Sequence, residues 1–144
     1  MPRLTRTDYT RPTRQLAQAL LGCRLVRRWQ GQRLSGLIVE AEAYIGETDL
    51  ACHAHVGRTR RNAVMYGKPG LVYVYFTYGM HHCLNLVTGP EGEASAVLVR
   101  ALEPALGLET MRARRGPVPD RKLASGPGCV AKALGLRLDD DGLD

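Results

Sequence analysis

The stretch RLSGLIVEAEAY, residues 33–44, limits the possible folds more than any other. It is rich in β-branched and other apolar residues, and the pair Gln30-Gly31 separates it from CRLVRRW, so the two runs read as a β-hairpin closed by a tight turn. Period-two alternation sends Leu37, Val39, Ala41 and Ala43 to one face and Ile38, Glu40, Glu42 and Tyr44 to the other. Two carboxylates then share a face with a tyrosine.

More strands follow. Leu71 to Thr77, a turn around Gly79, His82 to Thr88, the turn GPEGE and Ala94 to Arg100 read as an antiparallel meander. Helices are expected over Gln15 to Leu21, stopped by Gly22, over ALGLETMRARR with Pro104 in its first turn, and over CVAKAL before Gly135. Between Gly46 and Pro69 the pattern is irregular, which predicts a long functional loop. The summary is a single α+β domain with a curved, mostly antiparallel sheet flanked by α-helices. A chain of 144 residues is long enough to bury a core of that kind.

No apolar run approaches the roughly 18 residues of a membrane span, and the arginine-rich first 20 residues contain no signal-peptide segment. Neither a membrane nor secretion is expected. The four cysteines, Cys23, Cys52, Cys83 and Cys129, form no CxxC pair and read as reduced thiols of a cytoplasmic protein. Cys52, His53 and His55, like His81, His82 and Cys83, lack the spacings usual in zinc sites, so no metal is expected. Net charge is +6, yet four of the fourteen acids crowd into the last six residues, leaving the rest more basic still. Of twenty basic residues all but Lys68, Lys122 and Lys132 are arginine, the residue suited to bidentate phosphate contacts. A polyanion partner is favoured over solvated surface charge.

Two segments carry chemistry. In VEAEAY a strand carboxylate, Glu40 or Glu42, can act as a general base at the mouth of an aromatic pocket, and the spacing does not choose between them. In YVYFTYGM three of the six tyrosines fall within six positions, with Tyr73 and Tyr75 on one face and Tyr78 at the hairpin tip. A tip tyrosine beside glycine and methionine can act as a wedge. A protein that reacts with a base inside a duplex must extrude it, fill the gap with a side chain and hold the base between aromatics.

RLSGLIVEAEAYIGETDLACHAHVGRTRRNAVMYGKPGLVYVYFTYGMHHCLN, followed by AVLVRALEP, GLETMRARRG and SGPG, resembles the alkyladenine (3-methyladenine, methylpurine) DNA glycosylase family from about Arg14 to about Leu136. The resemblance implies that Glu42 is the general base and that Arg100 lies near the active-site water and phosphate. It assigns Tyr44, His53, Tyr75 and Asn85 to the base pocket, with Asn85 crowding the exocyclic amine of guanine, and leaves Tyr73 as packing. Tyr78, with Met80 beside it, matches the intercalating tip. Arg58, Arg60 and Arg61 are expected on phosphates from their clustering, and Ser125, Gly126 and Lys132 at the SGPG segment, where Cys129 replaces the family's usual lysine.

The implied fold is also that of a domain fused to methionyl-tRNA formyltransferase, so fold alone leaves open a non-catalytic binder of damaged DNA or of RNA. The implied activity is that of a monofunctional glycosylase, because no lysine replaces water as the nucleophile. It needs no cofactor, acts as a monomer on double-stranded DNA containing damaged purines, and in a bacterium would sit at the nucleoid. Family chains continue past this point with further strands, so the chain reads as truncated, with a sheet edge left uncovered.

Overall fold

The computed structural model describes residues 2–77 and 81–144. Helix α1 (Thr13–Leu20) leads into strands β1 (Arg24–Trp29) and β2 (Gln32–Ile45). After the long loop come β3 (Val72–Thr77), β4 (His81–Thr88) and β5 (Ser95–Leu106), then helices α2 (Leu108–Arg115) and α3 (Pro127–Leu134). The five strands form one antiparallel sheet in the order β1-β2-β5-β4-β3. The class is α+β, as expected.

The β1–β2 turn is the expected one, with Gln30 and Gly31 both at positive φ, 46° and 77°, the backbone that lets a two-residue loop follow the strand twist. Leu16 and Leu20 of α1, Met111 of α2, and Val130, Ala131 and Leu134 of α3 pack with Leu34, Ile38, Leu84, Leu86, Val97 and Val99 of the sheet. The other face is covered by the 46–70 loop, whose Cys52, Ala54 and Met65 pack with Tyr73, Val87 and Ala96. The helices therefore take one face and leave the other for a site.

Two expectations need correction. The alternation in β2 does not run unbroken: a bulge lies between Ile38, paired with Leu102, and Ala41, paired with Val99. The register slips at Glu40, which pairs with Ala101, and then returns, which resets the phase in both strands, so Ile38 joins the helix-side core together with Ala41, while Glu42 and Tyr44 keep the opposite face. Ile38 thus does not share the carboxylate face.

Pro104 lies in β5, opposite Gly36, and the helix begins only at Leu108, after Gly107 at φ 79°. The proline is tolerated because β4 pairs only with Ser95–Leu98. Farther along, the Leu102 N–H turns away from β2 to the Ala124 carbonyl, so the Pro104 nitrogen two residues on faces that same unladdered edge.

The outer edge of β3 is partly met by the chain's last residues. The Val72 N–H donates to the Leu143 carbonyl, the Gly142 N–H to the Val72 carbonyl, and the Val74 N–H to the Asp141 carboxylate. The edge expected to stand open is shorter than its strand.

Candidate functional site

The chemistry sits on the face opposite the helices. Glu42 and Tyr44 of β2 lie opposite Leu98 and Ala96 of β5, and Arg100, two residues beyond Leu98, reaches the same face. Tyr44 Oη donates to Glu42 Oε2 at 2.5 Å, and Arg100 Nη1 donates to Glu42 Oε1 at 2.6 Å. Both carboxylate oxygens are thus oriented by charge-assisted hydrogen bonds. Burial, followed by the hydrogen bond to Glu42, pushes the Tyr44 phenol up to about 12, so it remains a donor throughout the neutral range. Glu40 is the looser carboxylate: its Oε2 lies 4.0 Å from Arg100 Nε and its side chain is 63% exposed, against 40% for Glu42. Of the two glutamates, Glu42 is the one held in place.

Beside this pair lies a cavity of about 140 Å³ walled by Tyr44, His53, Tyr73, Asn85 and Leu98, among others. It is smaller than the roughly 300–1,000 Å³ clefts that take drug-sized ligands, and so suits a single planar heterocycle. His53, on a single helical turn (His53–Val56) of the long loop, stacks on Tyr75 with centroids 3.7 Å apart and planes 27° from parallel. Burial lowers the His53 imidazole, with Arg61 and His55 acting in the same direction, so it is neutral at pH 7.

Tyr73, expected to be packing alone, is fully buried, yet its Oη lies 3.0 Å from His53 Nδ1 and it lines the cavity. Burial raises this phenol well above its usual range, so the proton stays within the pair and fixes the ring. The one signal in the sequence was its shared face with Tyr75. Removing the hydroxyl in Tyr73→Phe should cost about 1 kcal/mol of positioning. Roughly fivefold slower base release should result, and the ¹⁵N shifts of His53 should move to those of a mixed tautomer.

Asn85 is buried, and its Nδ2 donates to the Tyr73 carbonyl at 3.3 Å, with a weaker contact to the Cys83 carbonyl. Its Oδ1 is left as the acceptor on a cavity wall. Asn62, which the sequence reading missed, fastens the loop: it is 2% exposed, its Nδ2 donates to the His53 and Gly57 carbonyls, and its Oδ1 accepts from the Thr59 N–H.

The expected phosphate contacts divide. Arg61 lies over the Tyr75 ring at 4.3 Å and donates to the Phe76 carbonyl, which puts it at the pocket rim; Arg58 sits over Tyr66 at 5.6 Å, and Arg60 is exposed. Ser125 and Gly126 precede α3, whose first residue is Pro127, while Lys132 lines a separate cleft on the helix side. Tyr78 and Met80 lie outside the described residues. Among the described residues no group of three His, Cys, Asp or Glu could hold a metal ion.

This geometry coincides with clear kinship. Over 141 residues the chain is 50% identical to a protein of Carboxydothermus hydrogenoformans named "Putative 3-methyladenine DNA glycosylase", covering 98% of this chain and 73% of that one. Proteins of the same name from Rhodopseudomonas palustris and Methanoculleus marisnigri are 51% and 52% identical, over 99% and 93% of this chain and 66% and 69% of theirs. The chain spans about two thirds to three quarters of the length of these curated relatives. The model of the methylpurine-DNA glycosylase family matches residues 7–144, and the chain belongs to that family.

Proposed function

We propose that the protein is a monofunctional DNA glycosylase that flips alkylated or deaminated purines out of duplex DNA and hydrolyses the N-glycosidic bond, as the first step of base excision repair. The observation that carries this reading is Glu42, held through both oxygens by Tyr44 and Arg100 at the edge of an aromatic cavity sized for one heterocycle. The names of the relatives support a 3-methyladenine substrate.

In this reading the purine enters between Tyr44 and His53, with the Asn85 side chain crowding the position at which guanine carries an exocyclic amine. Glu42 takes a proton from water, the water oxygen bonds to the sugar's anomeric carbon, and the C–N bond breaks with its electron pair leaving on the base. The sugar passes through an oxocarbenium-like state, which the nearby carboxylate stabilises, as in inverting glycosidases. A 3-methylated adenine is already cationic and leaves readily. Hypoxanthine is neutral and needs a proton as it departs.

Arg100 has a second task, because it orients the carboxylate and keeps a cation where the sugar phosphate approaches. Water is the nucleophile, so the product is an intact abasic strand. The test is base release from methylated DNA and from duplexes containing hypoxanthine or ethenoadenine, with strand scission appearing only after alkali. Scission without alkali would refute the monofunctional assignment.

A further inference from the structure

Behind the cavity wall the side chains are stacked in three layers. The His53 and Tyr75 rings lie 3.7 Å apart and near parallel, and the Arg61 guanidinium carbon lies 4.3 Å from the centroid of the same tyrosine ring. A stacked imidazole fills one face of a phenol, so the guanidinium takes the other and Tyr75 is the middle layer. The layer that lines the cavity is His53. The outer layer is fixed independently, because Arg61 Nη2 donates to the Phe76 carbonyl at 2.7 Å. Of the three clustered arginines, Arg61 is the one on the stack: Arg58 lies over Tyr66, and Arg60 is exposed.

We infer that Arg61 is a positioning residue for base release: from behind Tyr75 it holds the His53 ring as the wall against which a cationic purine stacks, in place of the phosphate contact expected of it. The inference rests on the DNA-glycosylase reading and names the lesion class that the wall is built to take.

Position and charge act together. A protonated imidazole at stacking distance would repel a cationic purine, so the wall serves that ligand only while His53 is neutral. Burial lowers the His53 imidazole most, and Arg61 adds to it ahead of His55. The other titratable groups around the ring are Tyr73 and Tyr75 of β3, with Tyr44 of β2 and Cys83 of β4 on the cavity lining and the Glu42–Arg100 pair beyond Tyr44. Arg61 is the permanent cation in contact with the stack. Two rings separate it from the cavity, so its own repulsion of the ligand is weak while its effect on the adjacent imidazole is strong.

Arg61 is exposed, so its variants should keep the fold. The experiment compares the parent with Arg61→Gln, Arg61→Lys and a charge control, Arg60→Gln. Single-turnover base release from methylated duplex DNA is followed against enzyme concentration and over roughly pH 5–8, and His53 is titrated by ¹⁵N NMR. Arg61→Gln should raise the half-saturating enzyme concentration about threefold to fivefold, the worth of an exposed cation–π contact, with the maximal rate near the parent's. His53 should titrate at higher pH in this variant, and the acid fall-off of release should move with it. Arg61→Lys, which keeps the charge, should restore both, and Arg60→Gln should leave His53 unmoved. On an undamaged duplex Arg61→Gln should keep the parent's log–log salt slope.

An unmoved His53 titration in Arg61→Gln, equal shifts in Arg61→Gln and Arg60→Gln, or a salt slope lowered by about 0.9 in Arg61→Gln, as for a lost phosphate contact, would overturn the inference and leave the glycosylase reading standing. A parent that frees no base would overturn both, and is told apart from those outcomes because it concerns the unaltered protein.

Discussion

Glu42→Gln should fold as the parent does and lose base release by about three orders of magnitude, within the range of roughly 10²–10⁴ typical of a general acid or base. Glutamine keeps the side-chain volume, and its oxygen can still accept from Arg100. What it loses is the capacity to take a proton from water and the negative charge facing the oxocarbenium. The site is half-open, with Glu42 and Arg100 about 40% exposed, so the uncompensated arginine costs little stability and Tm should barely move. A spectroscopic mark accompanies the loss. The Tyr44 phenol, pushed up to about 12 by burial and by Glu42, should titrate lower once the carboxylate is gone. Unchanged release in the variant would remove Glu42 from the mechanism.

Asn62→Ala is expected to have the largest effect on stability at the site. The change leaves the His53 and Gly57 carbonyls and the Thr59 N–H without their side-chain partner in a loop held by few regular hydrogen bonds. At about 1–3 kcal/mol for a buried group left unmatched, and with water reaching part of the loop, a loss of about 2–4 kcal/mol follows. Because His53 rides on this loop, the cavity wall should loosen as well. Amide exchange over residues 53–62 should quicken, and base release should fall about tenfold through weaker binding of the lesion. An unchanged Tm together with unchanged exchange would show that Asn62 is not the fastening.

A related dependence on pH comes from His53. Its folded value lies below the unfolded one, so as pH falls through about 6.5 and below, the unfolded chain binds a proton that the folded chain resists. This contribution to stability is present at neutral pH and is lost on acidification.

Much of this was legible in the sequence because local chemistry and tertiary structure agree. Gln30-Gly31 marks the β1–β2 turn, Gly22 and Gly135 stop their helices, and Tyr73 and Tyr75 alternate onto one face as period two requires. What escaped depends on partners far away in the chain. The β2 bulge carries no composition signal, because either phase puts apolar residues inward; only pairing with β5 reveals that Ile38 and Glu42 face opposite ways. Pro104 looked like a helix start because it precedes helix-forming residues, and what keeps it in a strand is an edge that β4 does not reach.

The site follows the same division. The resemblance, rather than residue type or spacing, points Glu42, Tyr44, His53 and Asn85 to base recognition, since spacing alone does not separate Glu42 from Glu40. The resemblance chose Glu42, and the structure adds a contact no spacing shows: Arg100, 58 residues away, lies at 2.6 Å from Glu42 and 4.0 Å from Glu40. Asn62 gave no signal beyond being a polar loop residue, since its bonds run to backbone groups of a loop with no regular pattern.

The most direct test of the central claim is single-turnover release of free base from methylated duplex DNA by the unaltered protein, followed by alkali to reveal abasic sites. The account predicts release of 3-methyladenine with alkali-dependent scission and no release by Glu42→Gln. A folded protein that binds the duplex in a salt-dependent way yet frees no base from any of the alkylated or deaminated substrates would contradict it, and would make the cavity a damage-binding site rather than a catalytic one.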